Sequence, residues 1–586
     1  MNMASINFIL IPVILALVMF CIPKKFAKTS KTIFIAAAVF NLAAIVALFG
    51  QNIVANCPWF AFNFSFSVSL TSFKEMLLAI SALFALLTAV FTVKNLKENS
   101  EIKLFNASLI LALGFANGAI ISESLIFLLV FIEALAIPFV LMILSSQNDT
   151  KKLAIKAFVI TAVADLFLML SVGMIYFVSK SVNISDISIV LSGWTAKLAF
   201  IFMVIGAAGK LGVMPFHSWM PEAAEKTSVG FLVFMATAAE KVLGIYILFV
   251  ALKIFNVAPG NVSWIILAIV AVGALVAALL SNSQKSFKKM LIYTSISQGG
   301  FMMLAMLTAV PVAIAGAVLH LLAHTAYKSA LFFGAGILDE NKSETLSYKN
   351  NIYVFICFIL AIASFIGVPL FAAFYSKEFV YAGAAGAGIV WYIALVLITF
   401  FSASAVLNWF GKIFFSGDQS QAQYSSVSLN VTLVTAFLSL FLGVFSGVPI
   451  RIIESAIPLA AEHSGSLILI ISMLALLIVL LNFILGSIKN NRLGFVSGVI
   501  KYLGINKLDE SEQADPYNLA IKGYNGFAAA AFGFDKLLNK VYDVVITTAA
   551  LSTAAVLKSL HNGNMSRYIL WVLVAILAAV LFFVFF

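Results

Sequence analysis

The sequence predicts an all-α polytopic membrane protein. Hydrophobic residues fill 63% of its 586 positions, charged residues only 10%, and its mean hydropathy is +1.10. Soluble chains carry roughly 25% charged residues. Apolar runs long enough to cross about 30 Å of hydrocarbon recur along the whole length, about sixteen of them. The strand alternation of a membrane barrel is absent.

The elements follow in order. INFILIPVILALVMFCI is followed by PKKFAKTSK. A signal peptide carries its charge before the apolar run, so this is a retained first span. PKKFAKTSK (23–31), KNLKENSEIK (94–103), NDTKKLAIK (148–156) and NSQKSFKKM (282–290) hold lysine clusters, whereas the loop 51–73 has no Lys or Arg. The positive-inside rule makes the first set cytoplasmic and the second external. The N-terminus is then outside and, with an even number of spans, so is the C-terminus. The cell membrane is the expected location. The net charge of +11 reads as basic loops rather than nucleic-acid binding. Cys21, Cys57 and Cys357 form no C-x-x-C pair, so no iron–sulfur, zinc or disulfide framework is legible.

Residues 1–100 carry spans 1–3. Residues 101–255 form a first five-helix repeat (spans 4–8) and 256–415 a second (spans 9–13). Spans 14–15 fall in 416–488. The polar stretch opening 489–586 is cytoplasmic on this topology. The segment 534–561 is either an amphipathic interfacial helix or a weak span, and RYILWVLVAILAAVLFFVFF is the final span.

Two spans read as broken. LAFIFMVIGAAGKLGVMPFHSWMP (198–221) contains Gly206, Gly209, Gly212 and Pro215; CFILAIASFIGVPLFAAFYSKEFVYAG (357–383) contains Gly367 and Pro369. Proline removes a backbone donor, and broken helices in corresponding halves point to an ion site. They are spans 7 and 12, five apart, as inverted repeats require. Each carries a lysine, Lys210 and Lys377.

Other ionisable groups interrupt apolar runs. His320, His324 and Lys328 lie at i, i+4 and i+8, covering about 80° of one helix face over about 12 Å. A mid-membrane charge costs at least about 2.5 kcal/mol, so the stripe faces a wet or polar interior. It suits a proton path. Neutral histidines bonding helix to helix are the structural alternative, and two His at i, i+4 could hold a metal. There is no H-E-x-x-H, however, and a lysine is a poor neighbour for a cation. Glu133, Asp165, Glu240 and Lys241 repeat the pattern on other spans, and structural ion pairs are the alternative for each alone.

GKLGVMPFHSWMPEAAE (209–225), KKMLIYTSISQGGFMMLA with HLLAHTAYKSALFFGAG (288–336), and FIGVPLFAAFYSKE (365–378) together resemble the ND5-type antiporter-like subunits of respiratory complex I. These are similar to subunits of energy-converting membrane-bound hydrogenases and Mrp antiporters. The resemblance covers about residues 100–400 and implies roles. Glu133 matches the fifth-span glutamate, Asp165 a sixth-span acid, Lys210 the seventh-span lysine and Lys241 an eighth-span lysine. His320, His324 and Lys328 match the eleventh-span bridge and Lys377 the twelfth-span exit lysine. Glu240, Glu378 and His217 are supporting groups. Ile132 stands where the family often has Trp, and KTSVGF (226–231) replaces its Gly-Pro-Thr-Pro-Val-Ser run. The C-terminal arm is short beside complex I's lateral helix, which favours a hydrogenase-like complex.

The implied function is a non-redox, proton-translocating subunit of a redox-driven complex of NADH-quinone oxidoreductase or hydrogenase type. A redox-independent Mrp-type sodium/proton antiporter subunit is the alternative. No cofactor belongs on this chain; iron–sulfur clusters, flavin or a nickel–iron site belong on peripheral redox subunits, beside other membrane antiporter-like subunits. Protons, or sodium, would pass along a hydrated row from Glu133 through Lys210, Lys241 and the stripe to Lys377. Movement of Glu133 relative to Lys210 would switch that lysine.

Overall fold

In hydrocarbon a helix satisfies every backbone group within one segment, and the apolar runs fold accordingly. The computed structural model describes residues 6–23, 26–58, 65–95, 100–146, 149–415, 423–459, 494–503, 515–540, 546–560 and 565–585, with a few isolated positions besides. The chain forms two units, Met1–Pro516 and Tyr517–Phe586.

The first unit opens with α1 (Asn7–Cys21), α2 (Ala27–Leu48), α3 (Ser72–Asn95), α4 (Ser100–Ile121), α5 (Leu125–Leu144), α6 (Lys151–Ser179) and α7 (Gly193–Leu211). Short α8 (Met220–Lys226) and α9 (Val229–Val233) follow, then a π-helical turn, Phe234–Ala239, leading into α10 (Glu240–Ile254). Next come α11 (Trp264–Ser281), α12 (Phe287–Leu307), α13 (Pro311–Glu340), α14 (Ile352–Ile366), α15 (Ala372–Ala387), α16 (Ile389–Phe414), α17 (Ser426–Val444), α18 (Gly447–Glu454) and α19 (Gly494–Leu503). In the second unit the described helices are α20 (Pro516–Lys540, its first residue at the boundary), α21 (Thr547–Leu560) and α22 (Met565–Phe585). The segment read as interfacial, 534–561, is helical in its described parts.

Among the described residues twelve helical stretches are long and apolar enough to span, and α1, α14 and the start of α22 are shorter apolar helices. The predicted fifteenth span, late in 416–488, lies largely outside the described residues. The all-α expectation meets one exception. Residues Ile53–Pro58 and Ser65–Leu70 form an antiparallel hairpin, with Ile53 opposite Leu70 and Pro58 opposite Ser65. Its signal was in the sequence: Phe66, Val68 and Leu70 alternate with Ser65, Ser67 and Ser69, the period-2 pattern of a strand with one buried face.

Both expected breaks are present. Helix α7 stops at Gly212, with φ +61°, and α14 stops at Gly367, with φ +88°. These left-handed C-terminal positions favour glycine, which has no Cβ to clash. Four C-terminal carbonyls lose their intrahelical partners at each break. The interior of the bundle is formed by α12 and α13, both buried along their apolar windows. Helix α13 packs against α12, α14, α15 and α17, so its ionisable stripe has no lipid-facing side.

Candidate functional site

The site begins where α6 and α7 pack closely. A Cβ at Gly206 would lie 2.8 Å from Leu168 Cβ, and one at Gly209 would collide with Ala164 Cβ. Small residues therefore bring the two backbones together, and the neighbours of that contact, Asp165 and Lys210, meet. Lys210 Nζ donates to Asp165 Oδ2 at 2.7 Å, with both side chains buried. Glu133, the group expected to switch this lysine by moving, is within electrostatic reach of Lys210 without being its ion-pair partner. Glu133 is exposed on the surface of the isolated chain, and the α6–α7 contact gives Lys210 to Asp165 instead.

Glu240 and Lys241 open α10 straight after the π turn. Glu240 is buried and within electrostatic reach of Lys210 and Asp165. Four residues along the same face, Gly244 abuts Leu211, the last residue of α7. Lys241 points elsewhere, because adjacent helical residues diverge by about 100°. Its Nζ donates to the Leu211 carbonyl at the α7 break and to the Ser295 carbonyl of α12 at 3.1 Å.

The α13 stripe is wholly buried. Lys328 Nζ donates to the Leu291 carbonyl at 2.9 Å and to Thr294 Oγ1. His320 Nδ1 pairs with Ser376 Oγ at 2.9 Å and its Nε2 with Gln298 Oε1 at 3.0 Å. Among the described residues neither ring nitrogen of His324 has a hydrogen-bond partner. Ser376 links the stripe to the next lysine. Lys377 Nζ donates to the Phe365 carbonyl at 2.5 Å, at the α14 break. The Phe365 ring lies 5.3 Å from Lys328 Nζ and 5.7 Å from Lys377 Nζ.

The structure thus brings Asp165, Lys210, Glu240, Lys241, His320, His324, Lys328 and Lys377 into one buried band. Glu133 sits at its edge, and Glu378 is half-buried beside Lys377. His217 lies in the turn between α7 and α8, its ring centroid 6.5 Å from that of Tyr293. No hydrogen bond joins it to the band among the described residues. Sequence reading missed the polar groups between the charges: Thr294, Gln298, Tyr327 and Ser376, and the Thr237–Ser329 contact of 3.1 Å. The signal for Thr294 and Gln298 was TSISQ (294–298), a polar run inside apolar α12. It also missed Lys74 and Glu123, which form a 2.7 Å ion pair between the start of α3 and the α4–α5 turn.

A family model described as NADH:quinone oxidoreductase/Mrp antiporter, TM, matches residues 122–403. That interval contains the whole band. Over this interval the sequence is that of the antiporter-like superfamily. The NADH-quinone oxidoreductase subunit N of Desulforudis audaxviator is 25% identical over 412 residues, 67% of this chain and 82% of that one. A solved structure of the Mrp complex from Dietzia sp. contains a chain that superposes with TM-score 0.76 at 17% identity, over 99% of this chain and 63% of that one. Respiratory complex I from Thermus thermophilus contains one that superposes with TM-score 0.68 at 19% identity, over 77% of this chain and 98% of that one. The chain is a multi-pass membrane protein, homologous to membrane subunits of an oxidoreductase complex.

Proposed function

We propose that protons cross this subunit along the buried band, and that the subunit is the non-redox pumping part of a redox-driven complex. The observation carrying this reading is continuity. Acids and bases on α5, α6, α7, α10, α13 and α15 form one row, joined by hydroxyl, amide and carbonyl groups of α12, α14 and α15. Water completes the row: a buried imidazole with neither nitrogen bonded among the described residues, as at His324, calls for it.

Each residue has a role in this reading. Asp165 and Glu240 are proton acceptors on either side of Lys210. Lys241 receives from that pair and faces α12. His320, His324 and Lys328 carry the proton along α13, and Ser376 passes it to Lys377. The carbonyls freed at the two breaks hold Lys241 and Lys377 where no carboxylate bonds them, since a helix C-terminus carries partial negative charge. Glu133 is the entry group. It lies at mid-span between Val130 and Ile137, both largely exposed, and a carboxylate facing lipid there costs about 2.5 kcal/mol or more. A neighbouring antiporter-like subunit covers it, and its protonation couples the two chains. Iron–sulfur clusters, flavin or nickel belong to peripheral subunits.

The test is proton translocation by the assembled complex in sealed vesicles. Lys210→Ala and Lys377→Ala each stop or strongly slow it with assembly intact. Unchanged translocation in both variants overturns the reading. An Mrp-type antiporter subunit is the second reading, favoured by the likeness to the Mrp chain over 99% of this sequence. Sodium-dependent proton exchange without any redox donor would support it.

A further inference from the structure

Helix α12 carries two adjacent glycines, Gly299 and Gly300, in the middle of a buried helix. Neither has a left-handed backbone. A helix interior disfavours glycine by about 1 kcal/mol relative to alanine, so each position has another reason for it. At Gly300 the reason is packing: an added Cβ would lie 2.6 Å from Ala274 Cβ and 3.2 Å from Ala274 Cα, where α12 rests on α11. At Gly299 the neighbour is different. An added Cβ would lie 2.6 Å from Lys241 Nζ, 3.2 Å from the Leu211 carbonyl oxygen and 3.2 Å from Val213 Cγ1. The space an alanine methyl would fill is where the Lys241 ammonium sits.

We propose that Gly299 is a positioning residue for proton transfer at Lys241: lacking a side chain, it leaves the gap in which the ammonium reaches Leu211 O and Ser295 O together. Distance and stiffness decide which atom yields. The Leu211 carbonyl is backbone at the end of α7, held by the α7–α10 contact at Gly244. Its 3.2 Å clearance needs only a shift of a few tenths of an ångström. The Lys241 ammonium ends a flexible side chain and is far closer. A methyl at 299 therefore displaces the ammonium, and the helices stay in place.

The consequence is local to the relay. Among the described residues Lys241 makes no ion pair, so its two carbonyl partners set where its protons point. Moving Nζ also changes its approach to His324, whose ring lies within its electrostatic reach. Misplacing a reacting group by about 1 Å can cost about a hundredfold in rate.

This inference rests on the proposed proton path, and the experiment separates the two. Proton translocation is measured in sealed vesicles containing the complete complex, for wild type, Gly299→Ala, Lys241→Met and the double variant, with assembled complex quantified on native gels. The expected result for Gly299→Ala is full assembly with a loss of translocation of about tenfold to a hundredfold. In the Lys241→Met background the same alanine has no further effect, because the group it displaces is gone. Wild-type translocation by Gly299→Ala overturns the inference, and so does an equal fold-loss in both backgrounds, which marks a structural role. If Lys210→Ala and Lys377→Ala also translocate normally, the proton path itself fails. If those two are inactive and Gly299→Ala is normal, only the positioning role fails.

Discussion

At the residue scale, the consequence of a buried charge depends on which partner reaches it. Asp165→Asn leaves the Lys210 ammonium buried without its carboxylate. Breaking a buried pair from one side costs about 3–5 kcal/mol, so the variant lowers both translocation and the yield of assembled complex. Lys210→Met together with Asp165→Asn restores assembly and not translocation; native-gel yield beside vesicle pumping reads the difference. The Lys74–Glu123 pair predicts a pH effect. Burial opposes ionisation of Glu123, but the Lys74 ammonium and the Ser69 hydroxyl outweigh it and hold the carboxyl below the usual carboxylate range. A depressed carboxylate stabilises above its unfolded value and loses that contribution as pH falls through its folded value. Glu123→Gln therefore destabilises the chain near neutral pH and has less effect in acid, measurable as unfolding temperature against pH in detergent.

At the element scale, breaks and close approaches do the positioning. Gly212 and Gly367 stop α7 and α14 with positive φ, which turns end carbonyls toward lysines from other helices. An alanine forced into that backbone costs about 1–2 kcal/mol. Gly367→Ala therefore lowers thermal stability by about that much, and it also crowds Lys377, whose Cδ lies 3.3 Å from an added Cβ. Gly209→Val drives α6 away from α7 at Ala164 and separates Lys210 from Asp165. Its pumping falls toward that of Lys210→Ala, and pumping equal to wild type would show that the close approach is dispensable.

At the scale of the whole molecule, the band runs from an exposed carboxylate at Glu133 through the buried centre formed by α12 and α13 to Lys377. A chain working alone would leave Glu133 against lipid. Cross-linking from a cysteine at Val130 or Ile137 in native membranes is expected to capture another membrane subunit of the same complex. Lipid alone at that face would remove the proposed partner contact. Purification of the native assembly in mild detergent, with iron, nickel and flavin assayed, identifies the driver. Any of these cofactors supports the redox reading, and small membrane partners without them support antiport.

Much was legible in the sequence because each signal is local. Hydropathy marks a span within one run, a glycine–proline pair marks a break within one helix, and i, i+4, i+8 spacing puts His320, His324 and Lys328 on one face before any neighbour is known. The hairpin is legible too, in the alternation of Ser65, Ser67 and Ser69 with Phe66, Val68 and Leu70. Other relations were decided only by the tertiary structure: that Lys210 bonds Asp165 rather than Glu133, that Lys241 and Lys377 rest on carbonyls of broken helices, that Ser376 and Gln298 flank His320, and that Gly299 makes room for an ammonium. Each is a contact between helices far apart in the chain. Such contacts depend on interhelical distance and rotation, which small residues such as Gly206 and Gly209 set, and no periodicity within one segment encodes them.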